Sequence, residues 1–179
     1  MGAISQNRIQ QYWAAGEAAA TAHGKGQALE QLVRYAFEKI TGVQHYMSNV
    51  VNQAQSEEVD VAFYNSKEKR GLPFLEHLIL AECKNWSAPV GAPSVREFTT
   101  KLKHRACANG ILVAANGITG APQDRTAAHD AVRMALAVER IRILVITRGE
   151  IDAWTHSDDI VELLKLKLCQ QAVEGSIFL

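Results

Sequence analysis

What this chain has little of narrows its class before any motif is considered. Cysteine is scarce: Cys83, Cys107 and Cys169 are an odd number with no CxxC spacing. That excludes a disulfide framework and reads as reduced thiols in a cytoplasmic protein. Long apolar runs are missing too, since the two longest, residues 111–115 and 134–138, span five residues each, whereas a membrane helix needs about 20. Neither sign of charge is in excess. Nineteen Lys plus Arg stand against nineteen Asp plus Glu, which excludes a polybasic protein held on nucleic acid by bulk charge. The first residues have neither a basic nor an apolar signal segment, so secretion is not expected. Repeats, low-complexity tracts, a GxSxG elbow and a GxGxxG fingerprint are all lacking. What is present is an ordinary globular composition, 47% hydrophobic and 21% charged over 179 residues. A chain of this size removes roughly 70% of its unfolded surface from water and needs no staple to fold.

Apolar periodicity then divides the chain into alternating helical and extended segments. Ser5 is placed to cap a helix running to about Thr21, and His23-Gly24-Lys25-Gly26 is expected to break it. Leu29, Leu32, Val33, Ala36, Phe37 and Ile40 recur at helical spacing in a second helix from about Gln27. Three extended runs follow, 43–51, 58–64 and 75–84, the last two joined by a hairpin loop over 65–73. Ser94 is expected to cap a helix to about Cys107, before a strand at 111–115. A helix carrying Ala127, Ala131 and Val138, a strand at 141–147 and a last helix from about Asp158 to Ala172 complete the order. The fold class expected is α/β, an α/β/α sandwich around a central mixed sheet.

The third extended run carries the sharpest chemistry. Leu75 to Ala81 is built for an interior, yet the run ends in Glu82-Cys83-Lys84, the only [DE]-x-K tripeptide of the chain. Residues two apart on a strand share a face, so Glu82 and Lys84 point one way and Cys83 the other. Placing a carboxylate and an ammonium there is costly unless something compensates. Asp60, on the preceding strand, reaches the same edge if the two runs pair as a hairpin. Two hard oxygen ligands with open positions for water and phosphate suit Mg²⁺. The neighbouring ammonium could position or deprotonate an attacking water and stabilise charge building on phosphorus. By spacing alone, a structural Glu82–Lys84 ion pair with Asp60 as a turn-side charge accounts for the pattern equally well.

Asp60, followed after twenty-one residues by Glu82-x-Lys84 on an apolar strand, resembles the PD-(D/E)xK nuclease superfamily. The wider frame is similar to its Mrr-like restriction endonuclease branch: Gly26-x-x-Leu29-Glu30-x-x-Val33, Ala81-Glu82-Cys83-Lys84-Asn85-Trp86, then Gly110-Ile111-Leu112-Val113 and Asn116-Gly117. The resemblance covers residues 24–119 and implies a restriction-endonuclease-like fold. Carried over residue by residue, it implies Asp60 and Glu82 as Mg²⁺ ligands, with Mn²⁺ able to substitute. Lys84 becomes the catalytic lysine, and Glu30 a helix acid that approaches the metal. It further implies a metal-dependent endodeoxyribonuclease acting in restriction or defence. Its partners are DNA and either a second copy of the chain or the subunits of a larger defence complex. The superfamily's proline before the first aspartate is Val59 here. Residues 1–23 are expected as an N-terminal helical extension and 24–179 as the nuclease domain, with no room for a separate recognition domain. The alternative is a non-catalytic module of the same fold that binds nucleic acid or a partner; a third reading is an unrelated α/β enzyme acting on a small phosphorylated substrate.

Arg96, Lys101, Lys103 and Arg105 crowd the helix after the lysine strand and form the expected DNA-binding face, beside the plainer reading of a solvated charge run. The last helix carries Ile160, Val161, Leu163, Leu164, Leu166, Leu168 and Val173, more than one stripe can bury. Some of that surface is expected to meet the N-terminal helix or a second protomer.

Overall fold

The computed structural model of the protein describes residues 2–51, 57–120 and 127–173. The helices are α1 (Gln6–Ala18), α2 (Ala22–Phe37), α3 (Ala92–His104), α4 (Ala127–Glu139), α5 (Arg148–Asp152) and α6 (Ser157–Val173). The strands are β1 (Val43–Val51), β2 (Glu58–Asn65), β3 (Leu78–Lys84), β4 (Asn109–Ala114) and β5 (Arg142–Ile146). They form one mixed sheet in sequential order. β1, β2 and β3 are antiparallel, while β3, β4 and β5 are parallel. The switch has a simple cause. Short connections bring β1 to β2 and β2 to β3 as hairpins, whereas β3 to β4 and β4 to β5 each cross over through a helix.

The sheet is covered on both faces, as an α/β/α sandwich requires. Alternation along β2 and β3 sends Val61, Phe63, Ile79 and Ala81 into a core with α1, α2 and α6. Ala62 and Leu80 enter a second core with α3 and α4. Gly110 lets α3 lie close on β4, since a Cβ there would stand 2.5 Å from Leu102 Cδ1 and 2.7 Å from Phe98 Cζ. Ile9 and Trp13 of α1 belong to the first core. Trp13 Nε1 also donates to Asp152 Oδ1 at 2.8 Å, tying α1 to α5.

Several boundaries differ from the periodicity reading, each for a local reason. His23-Gly24-Lys25-Gly26 does not break a helix. Thr21 Oγ1 accepts the Gly24 N–H at 3.1 Å, so the break falls before Thr21 and both glycines lie in α2. The division expected between residues 23 and 24 therefore falls inside that helix. α3 is capped by Gly91 rather than Ser94, with Pro93 in its first turn. β3 starts at Leu78 rather than Leu75, because the preceding chain turns around the buried Asn65. Its amide donates to the carbonyls of Leu72 at 2.8 Å and Glu76 at 3.0 Å. α5 is an element that periodicity did not signal. Its first turn closes on Glu150, whose carboxylate accepts the Thr147 N–H at 2.8 Å.

Along α6 the buried residues form one stripe, including Ile160, Val161 and Leu164, with Leu163 and Leu168 packed partly against the core. Leu166 and Val173 remain exposed. No helix among the described residues is long and apolar enough to cross a membrane.

Candidate active site

The candidate site lies where the hairpin of β2 and β3 opens. Val61 pairs with Ala81 in the last ladder step. One residue further on, the Asp60 carboxylate takes over as acceptor, and the Cys83 N–H donates to its Oδ2 at 2.7 Å. Asp60 is thus oriented by the strand that carries Glu82 and Lys84, a convergence that depends on the hairpin register. Beside it opens a cleft of about 170 Å³ lined by Glu30, Asp60 and Lys84, among others including His23, Glu58 and Trp86.

Glu82 does not line this cleft. It is 2% exposed, and its carboxylate is held between two ammonium groups. Lys84 Nζ lies 2.9 Å from Oε1. Lys101 Nζ, reaching across from α3, lies 2.9 Å from Oε1 and 3.0 Å from Oε2. A carboxylate so deep is tolerable because both oxygens are satisfied by charged donors.

Electrostatically the site is overloaded with negative charge. Burial, then the neighbouring Glu82 carboxylate, pushes the Asp60 carboxyl up to about 6, although the Cys83 N–H and the Lys84 ammonium pull the other way. Burial also raises Glu30, partly opposed by Asn49, whose Nδ2 donates to Glu30 Oε2 at 3.1 Å. Burial alone would lower Lys84, but Glu82 and Asp60 together hold it above the ordinary lysine range. Lys84 is therefore an ammonium at neutral pH, with its Nζ 5.4 Å from the Trp86 ring centroid.

Asp60, Lys84 and Glu30 are accordingly brought together at one cleft, with Glu82 directly behind Lys84. The expected DNA-binding residues of α3 do not share a common free surface. Lys101 is corrected outright: it is 5% exposed and turned inward onto Glu82, where no phosphate backbone reaches it. Its place was visible in the helix pattern. Position 101 falls in the same stripe as Val95, Phe98 and Leu102, which are all buried. Lys103 pairs with Glu139 at 2.6 Å and Arg105 with Glu57 at 2.6 Å, while Arg96 is exposed beside a groove between α3 and α4. Asn49 had no sequence signal. It sits in β1 with a φ of 53°, a left-handed conformation that asparagine tolerates better than most residues.

Asn85 closes the site from the other side. Its Nδ2 donates to the Lys25 carbonyl at 3.1 Å, tying the end of β3 to the first turns of α2. The contact passes over Gly16 of α1, where a Cβ would stand 2.9 Å from Asn85 Nδ2. α1 and α2 thus pack against the strand end where a larger residue at position 16 would displace Asn85.

The donor chemistry suits a hard divalent cation. Asp60, pushed toward protonation first by burial and then by Glu82, holds a charge that a cation would relieve. Mg²⁺ takes few protein ligands and keeps water or phosphate on the rest. Among the described residues, no group of three His, Cys, Asp or Glu side chains is placed to hold a metal ion.

Comparison with known proteins adds one finding. The family model described as "Restriction endonuclease" matches residues 22–151, which takes in α2, the whole sheet and every site residue named above. No curated protein and no solved structure matches the chain.

Proposed function

The chain belongs to this restriction endonuclease family, and from that premise we propose that it is a metal-dependent endodeoxyribonuclease acting in restriction or another defence against invading DNA. The observation that carries the reading is the meeting of Asp60 and Lys84 at the opening of one hairpin, with Glu82 buried against Lys84 and Glu30 lining the same cleft. A non-catalytic module would have no need to bury the Asp60 carboxylate beside a second one at a strand end.

In this reading Asp60 and Glu82 hold Mg²⁺, with Mn²⁺ able to substitute, and Glu30 assists through water. When bound, such a cation neutralises charge on phosphate and activates the attacking water. The chain's own residues supply the geometry. The Cys83 N–H fixes the rotamer of Asp60. Glu82 would be free to hold the cation once Lys84, the more exposed of its two partners at 20% against 6% for Lys101, gave up Oε1. Lys101 stays and keeps the carboxylate in place. Lys84, protonated at neutral pH, donates to the phosphate or the attacking water and stabilises the developing charge rather than taking a proton from it. One cleft hydrolyses one phosphodiester at a time, so a duplex break draws on two sites, in a second protomer or a larger complex, or on one site that rebinds.

Nicking of supercoiled plasmid DNA tests this. Cleavage is expected with Mg²⁺ or Mn²⁺ and none in EDTA. Asp60→Ala and Glu82→Ala abolish it, and Lys84→Ala lowers kcat by roughly 10² to 10³. Wild-type cleavage by a folded Lys84→Ala variant would refute the assignment.

A further inference from the structure

The cleft at Asp60 is not isolated. It shares Glu30 and Asn49 with a second depression lined by Gln27, Gln31 and Arg34, and that one shares Gln31 and Arg34 with a third at Arg8, Tyr12 and Tyr35. The three follow one another as a trough along the exposed side of α2, each sharing lining residues with the next. From Gly26 to Glu38 the helix rises about 18 Å, a span that takes in several phosphates of one DNA strand.

The lining changes in character along its length. Near the cleft it is amides, Gln27, Gln31 and Asn49, which both donate and accept. At the far end it is cationic. Arg8 and Lys39 both lie over the Tyr35 ring, at 5.0 and 5.4 Å from its centroid, and neither has a carboxylate partner among the described residues. The Tyr35 hydroxyl accepts the Ser5 N–H at 2.9 Å, which anchors that ring to the start of α1. Arg34 joins them, paired only with the exposed Glu38 at 3.4 Å. Gathering like charges on one ring costs energy that an anion at the site recovers. The cations of α3 differ: Lys103 and Arg105 already hold carboxylates at 2.6 Å.

We propose that this trough is the track of the substrate strand, with Arg8, Arg34 and Lys39 gripping its phosphates several steps from the bond being cut. The proposal rests on the nuclease reading above and assigns the DNA path to α2 rather than α3.

The test is binding of the full chain to a short labelled duplex in EDTA, followed by anisotropy across a salt series. Arg8→Ala and Lys39→Ala are each expected to flatten the dependence of log K on log salt by about 0.9, which corresponds to roughly eightfold weaker binding at 0.1 M salt. Arg8→Lys should keep the slope. Lys103→Ala and Arg105→Ala should leave it unchanged. Both α2-side positions are on the surface, and circular dichroism confirms that the variants fold. A slope that moves with the α3 substitutions and not with Arg8 or Lys39 overturns the track. If wild type cleaves DNA while all trough variants bind like wild type, the track falls and the nuclease reading stands. Absence of both binding and metal-dependent cleavage overturns both.

Discussion

Lys101→Met isolates the least expected contact of the site. Methionine keeps the length and the apolar stem of lysine in the stripe with Val95, Phe98 and Leu102, but it removes one of the two ammonium groups on Glu82. Lys101 and Glu82 side chains are 6% and 3% exposed, so water cannot replace the lost partner. Breaking a buried pair from one side costs about 3–5 kcal/mol. Lys84 remains 2.9 Å from Oε1, which places the expectation at the lower end, roughly 3 kcal/mol. In a domain of this size that is roughly 6–12 °C in Tm. Urea unfolding of wild type, Lys101→Met, Glu82→Gln and the double variant closes a cycle. Because the two side chains touch, the double variant should be less destabilised than the sum of the singles by about 2 kcal/mol. Effects that add to within about 0.5 kcal/mol would show that Lys101 does not hold Glu82 and would refute the clamp.

Two further outcomes follow from the chemistry of the hairpin end. Asp60 rises from 3.8 to about 6 on folding, so the folded protein binds that proton more tightly than the unfolded chain. The stability this adds is full below pH 4 and is lost as pH rises through about 6, on the order of 3 kcal/mol. Urea midpoints across this range should fall with pH in the metal-free wild type and lose that component in Asp60→Asn; the same slope in both would contradict the burial argument. The thiols should separate as cleanly. Cys83 is buried and burial pushes its thiol far up, Cys107 is buried and raised in the same way, and Cys169 is exposed. A thiol titration of the native protein should therefore find one fast group, at Cys169, with the other two reacting only on unfolding.

Much of the fold was legible in the sequence because the signals are local. Leu29, Leu32, Val33, Ala36 and Phe37 recur at helical spacing, and all five are buried in α2. The extended runs at 43–51 and 58–64 likewise correspond to β1 and β2. Errors arose where one local signal competed with another. The glycines at 24 and 26 looked like a break, but a single hydroxyl at Thr21 caps a helix that absorbs them. α5 escaped notice because five residues are too few to show a period.

By itself, then, the chain determined the alternation of helices and strands and the mixed sheet, and it drew attention to Asp60, Glu82 and Lys84 by residue type and spacing, whereas Glu30 came only with the family resemblance. Only the tertiary structure decided what each of them faces. Asp60 meets the Cys83 N–H across 23 residues, Glu30 meets Asn49 across 19, and Glu82 meets Lys101 across 19. The helix charges were the clearest case. Lys101, Lys103 and Arg105 are alike in sequence, yet one is buried on Glu82 and the others hold acids from α4 and from the residue before β2. A charge is free or spent according to what the fold carries to within about 4 Å of it, and no spacing along one helix encodes that.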